Sequence, residues 1–169
     1  YFERVKEILT DTFGPTDFDA KTPQGDAFEW LTLEDQICPD NGTNDQIRQR
    51  YALATFYFST DGDKWNFCDA KGTKDCPVEP FLSPANECEW YGVKDCNANN
   101  KLTRLDFKKG EYSVSDKFHP LLRIKSNNSF FRTEFGQDVG LKGNVPSEIF
   151  VLPNLKDFIA DFDGPANKK

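Results

Sequence analysis

Four of the five cysteines, Cys68, Cys76, Cys88 and Cys96, fall in one short stretch of the chain. No other feature restricts the fold as strongly, because paired sulfurs hold positions together whatever the backbone prefers. The last two bracket a tryptophan and a glycine in the run Cys88-Glu89-Trp90-Tyr91-Gly92-Val93-Lys94-Asp95-Cys96, and Leu102-Thr103-Arg104-Leu105-Asp106-Phe107 follows closely. A zinc site is the competing use of such cysteines. It favours Cys-x-x-Cys pairs or neighbouring histidines. Here seven residues lie between Cys68 and Cys76, and seven between Cys88 and Cys96, and the only histidine is His119. Disulfides are therefore expected, with no metal or other cofactor, and they imply an oxidising compartment: a secreted or cell-surface protein. The sequons Asn41-Gly42-Thr43 and Asn127-Asn128-Ser129 agree, which makes Asn41 and Asn127 candidate glycosylation sites. Cys38 is left over. A free buried thiol, a bridge to a partner, and a bridge to one of the other four in a different pairing all stay open.

Charge and composition narrow the partners. The net charge is -7 over 169 residues, which argues against nucleic acid or an anionic membrane surface, since both require a basic patch. The 16 phenylalanines are ample core material, so a folded chain is expected. No apolar run approaches the roughly 20 residues of a membrane span. The chain opens at Tyr1 with no charged segment leading into an apolar one, which fits a signal peptide already removed.

Local patterns change character along the chain. Phe2, Val5, Ile8, Leu9 and Phe13 form a helical stripe stopped by Gly14-Pro15. Pro23 and Gly25 open a second helical stretch with Ala27, Phe28, Trp30 and Leu31. Thr43 or Asn44 caps a third, carrying Ile47, Tyr51, Leu53, Ala54, Phe56, Tyr57 and Phe58 until Asp61-Gly62 ends it. Its second half is apolar nearly all round, which predicts burial. Residues 60–100 read as a loop-rich region. Beyond them Leu105 and Phe107 mark a strand, Phe130, Thr133 and Phe135 a second, and Leu155, Phe158 and Ala160 a third.

Phe107, Phe135 and Ala160 would be equivalent positions, 28 and 25 residues apart (135 − 107 and 160 − 135). That spacing lies within the period of roughly 20–29 residues of leucine-rich solenoids. Between the last two strands, Leu141-Lys142-Gly143-Asn144-Val145-Pro146-Ser147-Glu148-Ile149 bends the chain away, and Ile149, Leu152 and Leu155 return it to the core. The first interval lacks such a Gly-x-Val-Pro turn, so that repeat is irregular or carries an insertion.

On these residues the chain resembles the N-terminal cap of plant-receptor-type leucine-rich-repeat proteins. The resemblance is carried by Tyr51-Ala52-Leu53, Ser59-Thr60-Asp61-Gly62-Asp63-Lys64-Trp65, the Cys88–Cys96 run and Leu141 to Ile149. The wording of residues 23–65 is similar to secreted or surface leucine-rich-repeat proteins of diatoms. The likeness spans residues 22–163. It implies an α+β fold: a helical, disulfide-stapled cap over residues 22–100 on a short solenoid of two to three repeats over residues 101–169. Residues 1–21 lie outside the likeness, and their apolar stripe reads as an N-terminal helix of unknown role. The likeness also implies the pairings Cys88–Cys96 and Cys68–Cys76, with Trp65 and Trp90 filling the junction. In such repeats the side chains between core positions face the concave surface. Here they are Arg104, Asp106 and Lys108, then Arg132, Glu134 and Gln137, then Asp157, Ile159 and Asp161, a mixed-charge strip suited to a protein or polysaccharide.

Catalytic readings carry less. Glu87 with Glu89, and Asp61 with Asp63, invite a glycosidase, but general acid catalysis needs a carboxyl with a raised pKa in a pocket, and these lie in a turn-rich region. A calcium loop starting at Asp61 fails at Trp65, Asn66 and Gly72. His119 has no nucleophile motif beside it. The sequence thus points to a non-enzymatic extracellular interaction module, with no membrane span and no nucleic-acid partner. A structural subunit that self-assembles through an open repeat edge at residues 155–163 is the alternative. A carbohydrate hydrolase is a distant third.

Overall fold

A computed structural model describes residues 1–37, 42–71, 76, 78–107, 122–126, 129–135 and 140–162, with 122–126, 129–135, 161 and 162 described through their backbone. The chain is α+β. Helices α1 (Phe2–Phe13), α2 (Pro23–Glu29) and α3 (Asn44–Ser59) precede a five-stranded sheet, and the short α4 (Glu148–Val151) precedes its last strand. The strands are β1 (Val93–Cys96), β2 (Leu102–Phe107), β3 (Leu122–Ser126), β4 (Ser129–Phe135) and β5 (Asp157–Phe162), in the spatial order β1-β2-β5-β4-β3. The central pairs β2·β5 and β5·β4 are parallel, and both outer pairs are antiparallel. No described helix is long and apolar enough to cross a membrane.

The helices follow their local chemistry. In α1 the stripe Val5, Ile8 and Leu9 is buried, so residues 1–13 share the core of the helices that follow. The chain leaves α1 at Gly14, whose N–H still reaches the Thr10 carbonyl at 2.9 Å. Thr22 caps α2 by accepting from the Gly25 N–H at 3.1 Å, with Pro23 in the first turn. The helix then widens into a π turn, Trp30–Glu34. Thr43 caps α3 by accepting from the Gln46 N–H at 3.2 Å. From Gln49 to Tyr57 every residue of α3 is buried, so it is the central helix of the core.

One aromatic core joins helices to sheet. Phe56 of α3 lies 4.9 Å from Phe107 of β2 and 5.6 Å from Phe158 of β5, ring centre to ring centre. Trp65 sits 5.4 Å from Phe107 and 5.2 Å from Phe81, and Phe81 lies 5.1 Å from Trp90. The segment before α4 docks on the end of α3. The Lys142 N–H reaches the Thr60 carbonyl at 3.1 Å, and Gly143, at a φ of +93°, passes so close to the Ser59 carbonyl that a side chain there would collide with it.

Burial also sets an alkaline limit. The phenols of Tyr51 and Tyr57 are pushed well above the ordinary tyrosine value near 10 by burial, with the Glu148 charge adding to the effect at Tyr51 and the Asp63 carboxylate at Tyr57. A folded pKa raised in this way contributes stability that is complete below the unfolded value and is lost as pH climbs towards the folded one. The urea midpoint should therefore begin to fall above about pH 10, and Tyr51→Phe should flatten that alkaline limb in a pH series.

Two expectations are corrected. The segment 22–100, expected to be helical, also holds a strand, because β1 forms an antiparallel hairpin with β2. The asparagines between them close the turn: the Asn97 carboxamide oxygen accepts from the Asn99 N–H at 2.9 Å and the Lys101 N–H at 3.0 Å. The strands at 107, 135 and 160 are also not successive neighbours. β5 lies between β2 and β4, Phe107 faces Ala160, and Thr133 rather than Phe135 sits on the other side of Ala160. The reason is local closure. β3 and β4 pair from Ser126 and Ser129 outward as a tight antiparallel hairpin, which adds as a unit to the far side of β5. The 28-residue spacing is therefore not a repeat period.

Candidate functional site

The structure pairs Cys68 with Cys76 and Cys88 with Cys96. The second bridge spans the segment that carries Trp90. The Trp90 ring lies over the Arg50 guanidinium at 4.6 Å, and Trp30 packs on the same cation at 5.3 Å. Arg50 is completely buried in α3 and all its N–H groups are taken. Asp35 receives Nε at 2.6 Å and Nη2 at 2.7 Å, Glu87 receives Nη1 at 3.2 Å, and the Ala85 and Ser83 carbonyls take the remaining donors at 3.1 and 3.4 Å. A guanidinium offers five such donors in a fixed fork, and this one is fully satisfied. Gln49 extends the cluster. Its Nε2 donates to Glu87 at 2.9 Å and to the Asn100 carbonyl at 3.0 Å, while its Oε1 accepts the Leu102 N–H at 2.7 Å. The helix therefore grips the first residue of β2.

That grip positions the charged face of the sheet. Along β2, Leu105 and Phe107 turn into the core, and Arg104 and Asp106 turn outward. Phe158 and Ala160 of β5 are buried, with Asp157 and Ile159 on the outer side. The register sets Asp95, Arg104 and Asp157 in one row across three strands, and Asp106, Ile159 and Arg132 in the next. Arg104 Nη2 bonds Asp106 Oδ2 at 2.9 Å. That bond first, then the charges of Asp157 and Asp95, hold the guanidinium still further from deprotonation. Three carboxylates around one fixed cation leave this part of the face acidic. Glu134 takes the register position beside Asp161.

The other expected residues divide as follows. Lys108, Gln137, Cys38, Asn41, Asn127 and His119 lie outside the described residues. Asp61 pairs with Lys64 at 2.7 Å, and Asp63 accepts from the Tyr57 hydroxyl at 2.8 Å and from Lys71 at 2.6 Å, so both serve the turn after α3. Glu87 is taken up by Arg50 and Gln49. Glu89 stays exposed, with Glu79 and Lys94, on the rim of an open cleft of about 720 Å³ beside the disulfides. The buried cluster of Asp35, Gln49, Arg50 and Glu87 was not foreseen. Its one local signal is an arginine inside the apolar half of a helix, where only a buried partner would make it tolerable.

Replacing Cys88 by Ser should cost about 2–3 kcal/mol by loop entropy. It should also loosen Trp90 from Arg50, which a red-shifted tryptophan emission would register. An unchanged urea midpoint would show that the bridge does not stabilise the fold.

No protein-family model matches this chain, and comparisons with curated proteins and with solved structures return no match.

Proposed function

We propose that this protein is a non-enzymatic extracellular recognition module whose ligand face is the outer side of β2 and β5. One observation carries the reading: the register that lines Asp95, Arg104 and Asp157 across the sheet, on a surface clamped from behind by the cap. A face held this way is ordered before any ligand arrives, which lowers the entropy lost on binding. The two disulfides are what an oxidising, extracellular compartment produces.

The solenoid reading takes a revised form. Leu102, Leu105 and Phe107 share the frame Leu-x-x-apolar-x-apolar with Leu155, Phe158 and Ala160. Leu105 faces Phe158 and Phe107 faces Ala160 in a parallel pair. We read these as adjacent repeats of a short leucine-rich array, with the intervening stretch that contains β3 and β4 as an insertion. The ligand is a protein or a wall glycan that meets a mixed-charge, net acidic strip.

The test is a pull-down from native extracellular material together with a glycan array, using the wild type and Asp157→Lys. Asp157 is exposed, so the variant should fold normally. It should lose captured material or glycan signal by about tenfold or more, the size expected for reversing a charge at an interface. Capture unaffected by Asp157→Lys and by Arg104→Glu would remove the strip from the function. Capture of many copies of the chain itself would favour an assembly subunit.

A further inference from the structure

The first two helices build a second surface, and it shares no residue with the sheet face. A groove of about 320 Å³ runs between the start of α1, the residues before α2, and the π turn. Its floor is the stacked pair Phe18 and Phe28, 4.5 Å apart. Phe2 leans edge-on against Phe28 at 4.8 Å and is 43 % exposed, and Leu33 on the opposite lip is 73 % exposed. Large apolar side chains left this open next to a formed groove are the mark of a surface that something covers. The lip that carries Leu33 is the π turn itself, an irregularity that recurs at functional sites.

The rim determines what the groove accepts. Asp19, Asp26 and Glu29 are exposed around it against a single Lys21, and none of the four is in an ion pair among the described residues. A second copy of this chain would bring the same acidic rim and a like net charge of -7, which repels. An anionic lipid surface is repelled in the same way. A segment of another protein with an apolar side chain flanked by lysine or arginine meets both features, since the apolar group fills the space over Phe18 and Phe28 and the cations face the three carboxylates.

We propose that this groove docks such a basic, apolar-anchored segment of a partner protein. The probe is a short synthetic peptide with a leucine–phenylalanine pair between lysines, titrated into the full chain by fluorescence anisotropy, with a glutamate-flanked version as control. The lysine peptide should bind, and the control should not. Binding should weaken by about tenfold or more with Leu33→Asp, the loss expected from removing one apolar contact at an interface. It should weaken again with Asp26→Lys plus Glu29→Lys, and the wild-type affinity should fall as salt rises. Leu33, Asp26 and Glu29 are exposed, so unchanged melting curves should accompany these losses.

Several results would overturn the assignment. They are equal binding of the two peptides, no binding of the lysine peptide, or no effect of Leu33→Asp. Sedimentation that shows a dimer dissolved by Leu33→Asp would make the occupant a second copy. Binding to phosphatidylserine vesicles that Leu33→Asp abolishes would make it a membrane. The sheet-face proposal is unaffected by any of these outcomes, because Asp157→Lys leaves the groove intact.

Discussion

Arg50→Met should lower the stability of this protein by about 3–5 kcal/mol, the cost of removing one partner from a buried ion pair. The substitution keeps much of the side-chain volume and takes away only the charge and the donors. What remains is two buried carboxylates, Asp35 and Glu87, with their cation gone. The indoles of Trp30 and Trp90 also lose the cation between them. Urea unfolding followed by tryptophan emission reads the effect directly. With a slope of about 2 kcal/mol per molar urea for a chain of this size, the midpoint should drop by about 2 M. Arg50→Lys should fall between wild type and Met, because an ammonium keeps the charge and loses the two-pronged fit to Asp35. Adding Asp35→Asn and Glu87→Gln to Arg50→Met should restore more than half of the loss, since the unpaired charges are the larger part of the penalty. A midpoint unmoved by Arg50→Met would mean that the cluster does not hold α3 to the segments that carry Asp35 and Glu87.

Gly92→Ala is the second large effect, and its cause is different. Gly92 sits at a φ of +80°, where a residue with a Cβ is strained. A Cβ there would also lie 2.3 Å from the edge of the Phe107 ring. The ring cannot retreat, because Phe56 and Trp65 hold it at 4.9 and 5.4 Å. Backbone strain of about 1–2 kcal/mol and overpacking of about 1–3 kcal/mol add to a loss of roughly 3 kcal/mol. The Gly92 carbonyl accepts the Asp106 N–H at 2.7 Å, so the strain falls on the hairpin that sets the charged face. Phe107→Leu in the same chain should relieve the steric part and leave the backbone part. Gly14→Ala is the control, with a φ of +89° and nothing within 4 Å of the added carbon. With ψ at 179° Gly14 lies in a region that only glycine favours, so the substitution should cost about 1–3 kcal/mol of backbone strain alone. A Gly92→Ala loss that Phe107→Leu does not reduce would show that the contact with Phe107 is unimportant.

The face that carries the proposed function was partly legible in advance. Arg104, Asp106, Asp157 and Ile159 can be picked out as outward positions because strand side chains alternate and the inward ones are apolar. Which residue stands beside which could not be picked out. The notional alignment set Phe135 opposite Ala160, whereas Thr133 is the actual neighbour, a slip of two residues that leaves the alternation of faces intact. The Asp35–Arg50–Glu87 cluster was hidden for a related reason. Its members lie 15 and 37 residues apart, and a charge in the sequence does not say which opposite charge it will meet. The groove at Phe2, Phe18, Phe28 and Leu33 was equally hidden, because apolar residues in separate segments do not announce which of them stay uncovered.

The amino-acid sequence by itself determined the three leading helices, the region bound by disulfides, and the apolar frames of β2 and β5. Each of these rests on contacts within a few residues: caps at Thr22 and Thr43, helical stripes, and closely spaced cysteines. The tertiary structure alone decided that β5 comes between β2 and β4, that Gln49 grips Leu102, and that Arg50 is neutralised by Asp35 and Glu87. A strand's own residues state which side faces the core. The choice of neighbouring strand depends on the free energy of closing long loops against alternative pairings. Here β3 and β4 pair with each other before β5 follows in the chain, and β5 then lies between β4 and β2.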